Sequence, residues 1–132
     1  MIGILLITHN GLGDSLIDCV RHVTGAMPPN LKSFSILAED DPQCKEVEVI
    51  ALIKRLDSGN GVLILTDLYG ATPSNIAHRL CQPGRIEGVS GVNLPMLLRV
   101  VCSAEITLAE MVRRAVQGGR DCIIELGAGI QG

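Results

Sequence analysis

The chain has 132 residues, 47% of them hydrophobic, and its fourteen acidic and eleven basic side chains leave a net charge of −3. One compact core spanning residues 1–132 is expected from that length, and the charge balance offers nucleic acid or an anionic membrane no basic stripe. Phe34 and Tyr69 are the only aromatics, which removes the stacking platforms that single strands or flavin-like rings need and favours a small polar or phosphorylated ligand.

The opening MIGILLI is apolar but lacks a basic leader and reaches Thr8 and His9 within a few residues. It is too short for a signal peptide or a membrane span, so a cytoplasmic protein is expected. Ile2 to Thr8 reads as a buried strand, and Asn10-Gly11-Leu12-Gly13 opens the helix after it. Phe34 to Leu37 is the next strand, and Asp41-Pro42 supplies an N-cap and a first-turn proline to a helix ending near Leu56. Val62 to Thr66 is the third strand, followed by Thr72-Pro73 as the cap and first turn of a helix to about Cys81. Ile86 to Val92 is a weaker strand. Asn93 caps the helix after it, with Pro95 in its first turn and Met96, Leu97, Val100 and Val101 as its core stripe. Thr107-x-x-Glu110 has capping-box spacing, which predicts a helix to Gln117 ended by Gly118-Gly119. Asp121 to Leu126, containing CIIEL, reads as a last strand free to pair at the sheet edge or with another subunit.

Strands alternating with helices imply an α/β fold with a doubly wound, mostly parallel sheet of order 2-1-3-4 flanked by helices, plus that C-terminal edge strand. Cys19, Cys44, Cys81, Cys102 and Cys122 are an odd number with no C-x-x-C pair. They fit neither a disulfide framework nor a zinc site, and read as small core residues of a reducing compartment.

Open parallel sheets bind ligands beyond the carboxyl ends of their strands, where the strand order reverses. In the order 2-1-3-4 that point lies between the first and third strands, whose ends carry His9 and Asp67. A carboxylate holding one ring nitrogen of a histidine fixes the tautomer and leaves the other nitrogen as acceptor, base or nucleophile. No serine or cysteine completes a hydrolase triad: Ser15 and Thr72 open helices, and Cys81 lies at the far end of its helix. His22 and His78 fall within helices as surface or packing residues, so no metal site is expected. Two helix openings, one with Gly11 and one with Gly70, Ala71 and Thr72, should point free N–H groups into the same crevice, which makes an anion site. There is no G-x-x-x-x-G-K-[ST] and no lysine near either loop, so nucleoside triphosphate chemistry is not expected. Gly11-x-Gly13, with Glu39-Asp40 after the second strand, is half of a dinucleotide fingerprint, but Leu16 occupies the third glycine position. A single phosphoryl group carried on His9 fits better, with backbone amides absorbing its charge. Asp67 as a turn residue and His9 as a structural one are the plain alternatives.

Three stretches in order, ITHNGLG at His9, GVLILTDLYGATPSN around Asp67 and GVNLPML from Gly91 to Leu97, resemble the mannose-family enzyme IIA component of the bacterial phosphoenolpyruvate-dependent sugar phosphotransferase system. The likeness covers essentially the whole chain. It implies a doubly wound fold with an added antiparallel edge strand and a homodimer in which that last strand is exchanged, a role CIIEL matches. It also implies that His9 accepts a phosphoryl group from the phosphocarrier HPr and passes it to an enzyme IIB component, without cofactor or metal. Asp67 would hold the other ring nitrogen. Gly70, Ala71 and Thr72 match the loop that receives the phosphate, Ala71 standing where a glycine often precedes the hydroxyl residue. Tyr69 matches an aromatic at the docking rim, and Asn93 and Pro95 match a third loop. The phosphotransferase subunit of dihydroxyacetone kinase shares a similar histidine motif but not the G-x-[ST]-P-x-N run that Gly70 to Asn75 supplies here. With no Ala/Pro-rich linker before Gly132, a free-standing IIA is expected. Two other readings stay open: a regulatory protein whose phosphorylation is read by a partner, and a binding module holding an anion or nucleotide without covalent chemistry.

Overall fold

The structure is a computed structural model and describes residues 1–103 and 105–129. Its elements run β1 (Gly3–His9), α1 (Leu12–Thr24), β2 (Leu31–Ile36), α2 (Pro42–Leu56), β3 (Val62–Thr66), α3 (Thr72–Leu80), β4 (Ile86–Ser90), α4 (Leu94–Val101), α5 (Leu108–Asp121) and a short α6 (Leu126–Gly129). The sheet order is β2-β1-β3-β4, and all three pairings are parallel. The expected doubly wound α/β fold is present.

Helices cover both faces, so the central strands are apolar on both sides, as a parallel sheet requires. Ile4, Leu6, Leu63 and Leu65 face a core built with α1, α4 and α5. Leu5, Ile7, Val62 and Ile64 face the other core, built with α2 and α3. Burying one such side chain is worth about 1.5–3 kcal/mol, which makes β1 and β3 the rigid centre of the molecule. The edge strands are more polar. β2 starts at Leu31, ahead of the expected Phe34, because an edge strand tolerates Lys32 and Ser33, which break the apolar run in the sequence.

Three local expectations are corrected. The helix expected to stop at Gln117 continues through Gly118 and Gly119 to Asp121, because both glycines are buried where α5 crosses α4. A Cβ on Gly118 would come within 2.9 Å of Arg99 Cβ, and one on Gly119 within 2.8 Å of Met96 Cε. These glycines let two helices approach; they do not end one. The segment expected as a last strand makes no ladder: Asp121 ends α5, 123–125 are irregular, and Leu126 begins α6. A strand exists only with a partner edge, and Ile123, Ile124 and Leu126 are exposed. The five cysteines are also exposed, not core residues. In α1, for example, Gly13, Ile17 and Val20 face inward, which turns Cys19 to the outside.

Candidate functional site

The reversal of strand order lies between β1 and β3, and their carboxyl ends bring His9 and Asp67 together. His9 Nδ1 lies 2.9 Å from Asp67 Oδ2, and the backbone N–H of His9 donates to the same oxygen at 3.0 Å. The carboxylate thus holds the ring and the strand end at one point. Asp67 Oδ1 is buried and has no hydrogen-bond partner among the described residues. Burial alone would raise the Asp67 pKa, but the backbone and ring N–H donors of His9 outweigh it and hold the carboxyl below its ordinary value. An ionised carboxylate only accepts, so Nδ1 carries a proton, and in the neutral ring Nε2 is the nitrogen with the lone pair. The His9 side chain is 45% exposed against 11% for Asp67, so the free side of the ring faces outward from a fixed base.

The loop after β1 is fastened from the sheet. Thr8, fully buried on β1, accepts the Gly13 N–H at its Oγ1 (2.9 Å). Gly13 has no side chain to hold it away: a Cβ there would meet Ser33 Cβ at 3.1 Å. Asn10 adopts the left-handed region at φ 49, which asparagine tolerates better than most residues, and its N–H donates to the Ile36 carbonyl of β2.

After β3 the arrangement differs. Thr72, expected as the N-cap of the following helix, is instead its first helical residue, and the cap is Ala71, whose methyl cannot accept a hydrogen bond. The hydroxyl comes from inside the helix: Ser74 Oγ accepts the Gly70 N–H at 2.8 Å and donates to the Ala71 carbonyl at 3.0 Å. Gly70 sits at φ +85, a conformation that favours glycine.

Of the residues expected to receive the phosphate, Gly11, Ala71 and Thr72 therefore have backbone amides without a partner among the described residues, whereas the Gly70 amide is already engaged by Ser74. The two helices match in one respect. At the second helical position α1 has its amide bonded to Thr8 and α3 has Pro73, which has none, so the amides of Leu12 and Asp14 and of Thr72 and Ser74 remain. Helix N-termini with such amides stabilise anions. Loops 10–11, 37–41, 67–71 and 91–93, at this end of the sheet, carry no lysine or arginine.

Asn93 is spent on structure. Its Oδ1 caps α4 through Met96 N–H, and its Nδ2 donates to the Gly119 carbonyl of α5. His22 and His78 are exposed; His22 lies in the last turn of α1, but His78, expected to lie away from the strand ends, lines a cavity with Thr66 and Ser90, the last residues of β3 and β4. Among the described residues no cluster of three or more histidine, cysteine, aspartate or glutamate side chains could hold a metal ion, and no helix is long and apolar enough to cross a membrane. Thr8 and Ser74 were not singled out from the sequence. A threonine ending a strand and a serine two residues after a possible cap are the only signals they leave.

A family model described as PTS system fructose IIA component, of the EIIA-man type, matches residues 3–117. The chain belongs to this family. Among curated relatives, the PTS system mannose-specific EIIAB component of Escherichia coli is 27% identical over 130 residues. That alignment covers 96% of this chain but 40% of the relative, so the chain spans well under half the length of that EIIAB component. Among solved structures, the phosphotransferase system component EIIA of Streptococcus agalactiae superimposes with a TM-score of 0.84 at 23% identity, covering 97% of this chain and 99% of that one. The mannose/sorbose specific IIA subunit of Enterococcus faecalis gives 0.83 at 23% identity, over 94% and 93% of the two chains. These last two likenesses speak to the fold. The chain is a mannose-family enzyme IIA component.

Proposed function

We propose that this enzyme IIA component is a phosphohistidine carrier in which His9 accepts a phosphoryl group from phospho-HPr and donates it to an enzyme IIB component. The observation that carries the reading is the 2.9 Å bond from His9 Nδ1 to Asp67 Oδ2, which leaves Nε2 as the one unprotonated ring nitrogen. The Nε2 lone pair attacks phosphorus in line, a new N–P bond forms, and the N–P bond to the donor histidine breaks with its electron pair returning to that ring. The Nδ1 proton stays in place, held by Asp67. The amides at the starts of α1 and α3, including Gly11, Ala71 and Thr72, would take the charge of the equatorial oxygens, and neither metal nor nucleotide is needed.

The surroundings suit a protein donor and acceptor. Leu12, Leu37, Leu68 and Tyr69, one to three residues beyond the strand ends, are exposed, Tyr69 at 87%. Such an apolar collar around a projecting nucleophile is what a docking protein covers. Glu39, Asp40 and Asp41 follow β2 at the same end, so a partner with basic residues at its rim is favoured. The outer edge of β4 is paired among the described residues only through the Gln82–Ile86 bridge. An open edge together with exposed Ile123, Ile124 and Leu126 supports a homodimer that exchanges its last segment.

Intact mass after incubation with phosphoenolpyruvate, enzyme I and HPr tests the central claim. Wild type should gain one acid-labile phosphoryl group and His9→Ala none. An unmodified wild type beside phosphorylated HPr would sink it, and His9 would then be a structural or ligand-binding residue.

A further inference from the structure

We infer that Ser74 is the positioning residue that holds the phosphoryl-receiving loop in its working shape, a role no side chain at the cap itself can fill. The inference rests on the phosphocarrier reading above and extends it. The start of α3 has the amides the reaction needs but an alanine cap, so nothing before the helix fixes the direction in which Ala71 and Thr72 present their N–H groups. Ser74 supplies the fixture from the third helical position. One hydroxyl closes a ring over the turn, accepting from Gly70 N–H at 2.8 Å and donating to Ala71 C=O at 3.0 Å. This resembles one half of a capping box, in which a third-position side chain reaches back to satisfy an amide before the helix. Gly70 stands at φ +85 and a Cβ added there would meet nothing within 4 Å, so no close packing on that side shares the work of the Ser74 ring.

Three observations separate positioning from contact. Ser74 is 7% exposed, so a docked partner cannot touch it. Its one hydroxyl proton is committed to the Ala71 carbonyl, leaving none to give a phosphate oxygen. It is also independent of the His9–Asp67 pair, which is held through Asp67 Oδ2. Loss of the hydroxyl should therefore lower the transfer rate while leaving the affinity for the donor and the tautomer of His9 unchanged.

Ser74 lines a cavity of ≈ 190 Å³ between α3 and β4, shared with Thr66, Ala77 and Ser90, which gives room for one added methyl group. Threonine and valine at this site have equal volume and differ in the hydroxyl alone. Rapid-quench phosphorylation by phospho-HPr should give Ser74→Thr a rate near wild type and Ser74→Val a kcat lowered on the order of 10- to 100-fold at unchanged KM, the scale of a small misplacement of reacting groups. The nitrogen signals of His9, read by NMR, should be the same in both. Equal rates for the two variants would overturn the inference, as would equal losses in both, which would assign the effect to packing. A valine variant whose KM alone rises would overturn it too, by making Ser74 part of docking. Should wild type itself take up no phosphate, the carrier reading fails first, and the inference falls with it.

Discussion

The two loops that frame His9 are built on opposite plans. The loop after β1 is anchored downward: a buried strand threonine holds Gly13 N–H, and the backbone lies so close to β2 that a Cβ on Gly13 would meet Ser33 Cβ at 3.1 Å. The loop after β3 is anchored forward, to its own helix, through Ser74, and a Cβ on Gly70 would meet nothing within 4 Å. The first plan ties its loop to the sheet and the second ties its loop to the helix that follows. His9 belongs to the sheet-anchored side, and the stretch with the most exposed residue of the collar, Tyr69, belongs to the helix-anchored side.

The sharpest way to break the comparison is at the residue that joins the two sides. Asp67→Ala should slow phosphorylation on the order of 100-fold while the fold persists, the scale expected when the group orienting a reactive histidine is lost. A wild-type rate in that variant would mean that the ring needs no orienting partner. Next in size, Thr8→Val keeps the shape of a buried side chain and removes the acceptor for Gly13 N–H. An unpaired buried amide costs about 1–3 kcal/mol, so chemical denaturation should show a loss of that order. No loss would show that the β1 loop is held by packing alone. The smallest effect is with acid. The folded-state pKa of Asp67 lies below the ordinary 3.8, so its contribution to stability is complete above that value and is lost as the pH falls through the lower folded value. NMR of the Asp67 carboxyl carbon should place its midpoint below 3.8; a midpoint above it would mean that burial outweighs the donors of His9.

Strand order and the His9–Asp67 pair were legible because buried parallel strands are continuous apolar runs, and Val62 to Thr66 has no rival reading. What was not legible has a common cause. Gly118-Gly119 is a stop signal in an isolated helix and a contact surface once α4 lies against it; only the neighbour decides. CIIEL has strand composition, but composition cannot supply the second edge. Thr72-Pro73 matches a cap and first turn, yet the chain caps one residue earlier and recruits Ser74, since a hydroxyl at either position can close the turn. The outward cysteines, by contrast, could have been placed: the inward spacing of Gly13, Ile17 and Val20 already excludes Cys19.

The all-parallel sheet also governs when the site comes into being. No two neighbouring strands are joined by a hairpin, so every pairing waits for a crossover to close, and such chains acquire their order late and together. His9 and Asp67 meet only when β1 lies beside β3, and α1, β2 and α2 stand between those strands in the chain. A half-folded molecule therefore lacks the orienting carboxylate at His9. The oriented ring of His9 is a product of the completed sheet, not of its own loop.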